Sequence, residues 1–210
     1  MRRRKLWKED TYGSYPVMVD VEKEQFCDEK ILETIKEHFD YATQTKSKIL
    51  FMRYDVRFQQ GECEHCSNEL FRTFQANFMK KLSRQGLKPQ YVAVREQSRE
   101  KHQHYHVALL LDGQKTQSIH NHITTAERLW NRTLGLPNRE NGYGLIDDCT
   151  KSRAGTVQIN GVMLRRDDPE YESKKADCFR RASYLAKINT KADAFNGNRE
   201  IMTSRVPKDK

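Results

Sequence analysis

Hydrophobic positions recur along this chain with two periods, one of three to four residues that predicts helices and one of two residues that predicts strands. Apolar residues spaced three and four apart predict helices over residues 28–42, 67–84, 117–134 and 168–187. Apolar runs and period-two alternation predict strands over 50–58, 90–96 and 104–111, with shorter strands within 143–149 and 155–164. Asp28 and the pair Asp168-Pro169 are residue types that begin helices, so they mark the start of the first and last helix.

The predicted strand over 50–58 has one apolar face and one charged face. Its even positions run from Leu50 to Phe58 and are all apolar, whereas its odd positions include Arg53, Asp55 and Arg57. The element order predicts an α+β fold with a mainly antiparallel central sheet and with helices packed on one face. Arg53, Asp55 and Arg57 are then the candidate DNA-binding residues on this face, and the two arginines could contact the phosphates of a nucleic acid.

Charge divides the chain into three predicted segments. Residues 1–24 form a basic arm within an N-terminal extension expected to be helical, residues 25–190 form the main domain, and residues 191–210 form a polar tail. The whole chain has 38 Lys and Arg against 29 Asp and Glu, a net charge of +9. Both ends contribute to this excess, which favours a polyanionic partner such as nucleic acid.

Membrane and secretion signals are not expected in this sequence. No segment approaches the roughly 20 apolar residues that a membrane helix needs, and no apolar stretch follows the basic start. Five cysteines are an odd number, with only Cys63 and Cys66 close together, which suits a reducing compartment better than a disulfide framework. A cytoplasmic protein without a membrane partner is the prediction.

His104-Tyr-His106 is the strongest candidate for metal chemistry. Residues i and i+2 of a strand point to the same face, so the two imidazoles would lie side by side. If strands 90–96 and 104–111 form a symmetric hairpin, Glu96 pairs with His104 and Val94 with His106. Two histidines and one carboxylate would hold a divalent cation with coordination positions open, and such a cation can polarise a phosphate.

Tyr184 and Lys187 form the candidate nucleophile and its cationic neighbour, since three residues of helix place both on one face. Tyr171 and Lys174 repeat the same spacing, so the choice of nucleophile stays open. Tyr184 is preferred because its apolar neighbours would hold that part of the helix against the sheet.

Cys63 and Cys66 have the spacing of half a zinc site. A closed structural site needs four ligands, and no second close pair of cysteines occurs, so zinc here is not the favoured prediction.

Together these motifs resemble the HUH endonuclease superfamily of enzymes that nick single-stranded DNA. The resemblance is carried by the His-Tyr-His-Val strand, the glutamate eight residues before it and the later Tyr-x-x-Lys, in the order found in replication initiators and single-tyrosine transposases. The segment Lys48-Ile-Leu-Phe-Met-Arg53-Tyr-Asp55-Val-Arg57-Phe58 narrows it to the YagK/YfjJ-like domain of prophages and filamentous phages, over about residues 25–190.

The resemblance implies a ferredoxin- or RRM-like fold and a specific set of roles. Glu96, His104 and His106 would hold Mg²⁺ or Mn²⁺, Tyr184 would attack the scissile phosphate, and Lys187 would help to neutralise charge. The product would be a 5′-phosphotyrosine link that starts rolling-circle replication of a phage, prophage or plasmid-like element. Implied partners are single-stranded DNA or a DNA hairpin at a replication origin, and a host replication helicase or polymerase.

Two alternatives fit the same charge and fold. One is a non-catalytic module that binds single-stranded nucleic acid on its sheet, and the other is a single-tyrosine transposase. A covalent protein–DNA adduct would exclude the binding module.

Overall fold

Four helices and ten strands form the described part of the chain. The structure, a computed structural model, describes residues 4–59, 67–96, 103–137, 143–152, 154–188 and 199–207. The helices are α1 (Glu29–Thr45), α2 (Glu69–Arg84), α3 (His120–Thr133) and α4 (Tyr171–Ser183), the last prolonged by a 3₁₀ turn over Tyr184–Ala186. The strands are β1 (Leu6–Trp7), β2 (Thr11–Tyr12), β3 (Tyr15–Pro16), β4 (Cys27–Asp28), β5 (Lys48–Arg57), β6 (Gln90–Glu96), β7 (His104–Asp112), β8 (Ile146–Asp147), β9 (Val162–Arg165) and β10 (Ile201–Thr203).

The central sheet has six strands, and every pairing in it is antiparallel. Its main path runs β10-β6-β7-β5-β8, and β9 pairs with the first half of β5 while β8 pairs with the last. The predicted α+β fold with a mainly antiparallel sheet is therefore confirmed. The long strand β5 and the hairpin β6–β7 form the middle of the sheet and carry most of the candidate site.

Helices cover both faces of this sheet, so the prediction of helices on one face is wrong. Helices α1 and α4 pack on the face that carries Phe51, Val94 and Leu110, whereas α2 and α3 pack on the face that carries Met52 and Tyr54. The odd positions of β5 are not charged along the whole strand, because Ile49 and Phe51 on the α1/α4 face are as apolar and buried as Leu50 and Met52 on the other face. On the α1/α4 face of β5, the charged side chains begin at Arg53, and the candidate site lies at that end of the strand.

Both chain ends differ from their predicted structure. The described part of the N-terminal extension contains β1, β2 and β3 and no helix, because short antiparallel pairs form instead, β1 with β4 and β2 with β3. Tyr15 of β3 stacks on Phe179 of α4 at 4.2 Å. The predicted polar tail contains β10, which pairs with β6 and extends the sheet. Arg4 joins the two ends, since its guanidinium bonds Asp28 at 3.2 Å and Glu200 at 2.6 Å.

The predicted helix starts are close to the observed ones. Asp28 caps α1 by accepting from the backbone N–H of Ile31, as its residue type predicts. Asp168 lies three residues before α4 and accepts from the backbone N–H of Glu170. None of the helices in the described ranges is long and apolar enough to cross a bilayer.

Lys46, at the end of α1, is a buried charge that should cost stability. The side chain is 8% exposed, its Nζ has no hydrogen-bond partner among the described residues, and burial lowers its pKa to about 8. A change of this size from an unfolded pKa of 10.5 corresponds to about 3 kcal/mol at neutral pH, as an upper bound.

We expect Lys46→Met to raise the free energy of unfolding at pH 7 by about 1–3 kcal/mol, measured by urea denaturation. Between pH 8 and 10.5 the folded protein loses the Lys46 proton while the unfolded chain keeps it, so the original chain becomes more stable as pH rises. The advantage of the variant should therefore shrink at pH 10. Lys30→Met, on the exposed side of α1, is the control and should give no such gain; an equal gain for Lys46→Met at both pH values would contradict the electrostatic explanation.

Candidate metal centre

The hairpin β6–β7 brings Glu96, His104 and His106 together at its open end. The register pairs Glu96 with His104 and Val94 with His106, as the symmetric hairpin predicts. One ligand atom from each of the three side chains lies within 4.8 Å of the other two. These residues therefore form a group that can hold a metal ion.

Both histidines direct the same ring atom towards one carboxylate oxygen. The Nε2 atoms of His104 and His106 lie 3.3 and 3.0 Å from Oε2 of Glu96, and the two rings are nearly perpendicular. Glu96 and His106 are buried, while His104 is partly exposed at the mouth of the site. Two imidazoles and a carboxylate are a borderline nitrogen and oxygen donor set that suits divalent cations, so the residues present fit such an ion.

Asp55 on β5 orients His106 from behind. Its Oδ1 accepts a hydrogen bond from Nδ1 of His106 at 2.6 Å, which leaves Nε2 directed at Glu96. Arg53 donates to the same oxygen at 3.0 Å. Burial opposes charge on Asp55, but the neighbouring His106 and Arg53 outweigh it and hold the pKa of Asp55 well below its usual range. Burial likewise lowers the pKa of His106, and the Asp55 carboxylate reverses this into a net rise.

Tyr184 is the tyrosine that lies beside this group. The helix α4 ends at Ser183 and Tyr184 begins the 3₁₀ turn, which places its ring edge-on against His106 with 5.3 Å between centroids. The guanidinium of Arg53 lies over the same ring at 4.0 Å. Burial raises the pKa of Tyr184 although Arg53 opposes the rise, so the phenol is protonated at neutral pH. No described residue hydrogen-bonds to its hydroxyl.

Tyr171, the competing tyrosine, lies at the other end of α4 and is not part of the cleft. Its ring packs at the edge of the α1/α4 core, with Lys175 5.2 Å from the ring centroid. The structure thus brings Tyr184 to the histidine pair and leaves Tyr171 away from it.

Lys187 lies next to Tyr184 but binds elsewhere. Its Nζ is 5.6 Å from the Tyr184 ring, a result of the 3₁₀ turn placing residues i and i+3 on one side. The same Nζ donates to Oε1 of Gln25 at 3.0 Å, and Lys187 does not line the cleft. Lys187 thus lies on the same side as Tyr184, as the sequence predicts, but its ammonium group is bonded to Gln25 outside the cleft.

The three DNA-contact candidates on β5 have different surroundings. Arg53 and Asp55 are buried at 2% and 7% exposure, and they support His106 and Tyr184 rather than presenting charge to solvent. Both residues also line the cleft, and their contact with DNA stays a prediction. Arg57 is half-exposed, pairs with Asp147 at 2.6 Å and lines the cleft, so it keeps the predicted position.

The cleft in front of the histidines has a second wall that the sequence patterns did not predict. The cleft has a volume of about 530 Å³. This wall is lined by residues from β8, from the segment after β8 and from α4: Asp147, Cys149, Lys151, Ser152, Gln158 and Arg181. Asn160 fixes the segment to β5, since it accepts from the backbone N–H of Arg53 at 2.6 Å and donates to its carbonyl at 2.8 Å.

Arg181 is the cation of this wall closest to the candidate nucleophile. Its guanidinium is 5.9 Å from the Tyr184 ring and donates to the carbonyl of Cys149 at 3.2 Å. Within the described ranges no carboxylate forms an ion pair with it, and its Nε has no hydrogen-bond partner. The three-residue spacing between Arg181 and Tyr184 is the feature of the sequence that could have predicted this contact.

The predicted zinc pair Cys63 and Cys66 lies outside the described residues. Of the remaining cysteines, Cys27, Cys149 and Cys178 are free thiols and buried.

Comparison with known proteins gives one match to a family model. The model describes the YagK/YfjJ C-terminal domain and matches residues 8–200, which is most of the chain. No curated protein and no solved structure matches the chain. The matched segment contains the whole described part of the metal centre and its cleft. On the extent of this match, the chain belongs to the YagK/YfjJ C-terminal domain family.

Proposed function

We propose that this protein is a metal-dependent endonuclease that nicks and rejoins single-stranded DNA through a 5′-phosphotyrosine intermediate. The observation that carries the proposal is the placement of Tyr184, which enters the same cleft as Glu96, His104 and His106 with its ring against His106. A module that only binds nucleic acid has no need for a buried Glu-His-His group next to a tyrosine. The proposal includes membership of the HUH superfamily of endonucleases.

Each side chain of the cleft has a role in this reaction. Glu96, His104 and His106 would hold Mg²⁺ or Mn²⁺, and Asp55 keeps His106 in the orientation that the site needs. When bound, the cation supplies positive charge to an oxygen of the scissile phosphate. The Tyr184 Oη attacks phosphorus, the bond to the 3′ oxygen breaks, and the strand leaves with a free 3′-hydroxyl.

Cations around the phenol favour its ionised form at the moment of attack. Arg53 lies over the ring and Arg181 lies at the cleft wall, while burial keeps the phenol neutral before a substrate enters. The attacking 3′-hydroxyl of a second strand reverses the same step and rejoins DNA, because the phosphotyrosine bond keeps the energy of the broken diester.

The proposed biological role is initiation of rolling-circle replication in a phage, prophage or plasmid-like element. The substrate would be single-stranded DNA or a hairpin at the origin, in the cytoplasm. A host polymerase would extend the free 3′ end, and a host helicase would unwind the duplex ahead of it. The net charge of +9 is consistent with a phosphate-rich partner.

The proposal is tested by incubating the protein with Mn²⁺ and single-stranded DNA labelled at its 3′ end, the part that stays joined to the tyrosine, and then denaturing the sample. We expect a labelled band that migrates with the protein after denaturation, and we expect EDTA to remove it. DNA bound without any adduct or cleavage, over a range of oligonucleotide sequences and hairpins, would favour the binding module instead.

Because Arg181 lines the cleft and Lys187 does not, Arg181 would take the role of neutralising charge on the scissile phosphate. Arg181→Gln should then reduce the cleavage rate by about 10- to 100-fold, since a charge-assisted hydrogen bond to phosphate contributes about 1.5–3 kcal/mol. The affinity for Mn²⁺ should stay within about threefold, since Arg181 contacts none of the three metal-binding side chains. Arg180→Gln is the matched control, because Arg180 is the exposed neighbour on the same turn. A greater loss for Lys187→Gln than for Arg181→Gln would return the charge-neutralising role to Lys187.

A further inference from the structure

A basic groove lies between α2 and α3, on the side of the sheet away from the metal centre. It contains Lys80, Lys81 and Arg84 of α2 and Arg128 and Arg132 of α3. Two adjoining hollows of about 730 and 620 Å³ share Lys81 and Arg132, so they form one continuous groove.

The positive charge of this groove is not compensated. Its described lining includes no aspartate or glutamate, and none of its five cations takes part in an ion pair within the described ranges. Four of the five cations are exposed and Lys81 is half-buried. Five neighbouring cations repel one another, so the groove is expected to be occupied by an anion with several charges.

The chemistry of the lining indicates which kind of polyanion fits. Single strands are bound by cations together with aromatic side chains on which bases stack. The described lining of the groove has no aromatic residue, whereas the cleft at the metal centre contains Phe58, His104 and Tyr184. A surface that contacts phosphates alone suits duplex DNA, because its bases are already stacked inside the helix.

The sheet separates the groove from the metal centre. The helices α2 and α3 pack on Met52 and Tyr54, while the neighbouring residues Arg53 and Asp55 of the same strand face the opposite side. The groove and the cleft therefore lie on opposite faces of the sheet, and the two surfaces would hold different parts of one DNA molecule.

We propose that the groove between α2 and α3 binds the sugar–phosphate backbone of duplex DNA, at a second site distinct from the cleft that receives the single strand. The choice of DNA as the polyanion rests on the proposed function. Lys80 and Arg84 are one turn apart, as are Arg128 and Arg132, so each pair spans roughly 6 Å along its helix. The two helices thus present cations from both walls to a phosphate chain that lies between them.

The test compares duplex and single-stranded DNA binding by the variant Lys80→Gln/Arg84→Gln/Arg132→Gln. A labelled 20-base-pair duplex and the matching single strand are titrated in EDTA, so that binding is measured without cleavage. We expect the Kd for the duplex to rise about tenfold or more, and the slope of log Kd against log salt to fall by about 2.7 for three lost phosphate contacts. The Kd for the single strand should change much less.

A matched control removes three exposed cations from elsewhere on the surface, in the variant Lys30→Gln/Lys115→Gln/Arg165→Gln. It should leave the preference between duplex and single strand unchanged. An unchanged duplex Kd in the groove variant, or an equal loss in both variants, would overturn the proposal. Reduced binding to anionic lipid vesicles with unchanged duplex binding would overturn it as well and would identify a membrane surface as the occupant.

The outcome is separate from that of the proposed function, because no step of the binding test needs metal or Tyr184. A protein that binds duplex in the groove but forms no adduct would keep this inference and lose the nickase proposal. A protein that forms the adduct but shows no groove-dependent duplex binding would support the nickase proposal and contradict this inference.

Discussion

His106→Ala is expected to abolish metal-dependent cleavage, with a rate loss on the order of 1,000-fold or more, because a phosphate-bound cation contributes several kcal/mol to the transition state. The variant removes one of the three candidate metal ligands and also leaves the Asp55 carboxylate without the hydrogen bond that it accepts from Nδ1. Mn²⁺ affinity, measured by calorimetry, should fall in parallel. Binding of DNA should persist, because most of it comes from Lys and Arg contacts with phosphate.

The buried position of His106 requires controls for folding. His106→Gln keeps more of the side-chain volume, and His104→Ala removes a ligand that is partly exposed; both should lose cleavage while keeping their thermal transition. His120→Ala, at an exposed histidine of another His-x-His triplet, should behave like the original chain. Full cleavage by His106→Ala with unchanged Mn²⁺ affinity would contradict the assignment of the metal centre.

The candidate metal-binding group was predictable from local sequence because a hairpin has few possible registers. The strands 90–96 and 104–111 are both bounded by polar residues, and symmetric closure places Glu96 opposite His104 without further information. The His-x-His spacing then fixes the shared face by the pleat alone. Each of these steps depends on residues that are near each other in the chain.

The residues that orient this group, by contrast, come from strands that are far apart in the sequence. Asp55 lies directly opposite His106 in the register of β5 and β7, a relation that requires these two strands to be neighbours. The sequence predicts Asp55 on the same face as Arg53 and Arg57, but it does not predict that Asp55 is buried against His106. Charge on a strand face predicts exposure only when no partner on another strand neutralises it, and here His106 and Arg53 do.

Segments without a regular period were the least predictable. The wall that holds Cys149 and Arg181 comes from the chain between β8 and β9 and from α4, and Asn160 docks it on β5 through backbone hydrogen bonds. Similarly, β10 is only three residues long and acquires its structure by pairing with β6. Short elements of this kind are stabilised by the sheet they join, so their own residues carry little signal.

Tyr184→Phe should eliminate the covalent adduct, a loss of roughly 10⁴-fold or more, because the substitution removes the oxygen that forms the bond to phosphorus. The ring that packs against His106 and under Arg53 is kept, and no described residue hydrogen-bonds to the lost hydroxyl. The free energy of unfolding should therefore change by less than about 1.5 kcal/mol. Affinities for Mn²⁺ and single-stranded DNA should also be close to those of the original chain.

Tyr171→Phe provides the matched control, since it makes the same chemical change at the other Tyr-x-x-Lys copy of the same helix. It should keep the adduct, because its ring packs beside Lys175 at the start of α4 and not in the cleft. An adduct that survives Tyr184→Phe and disappears in Tyr171→Phe would reverse the assignment and require α4 to move during the reaction. An adduct that survives both substitutions would exclude these two tyrosines as nucleophiles. If both substitutions remove it, mass spectrometry of the DNA-linked peptide from the original chain identifies the residue that carries the phosphate, and we expect that residue to be Tyr184.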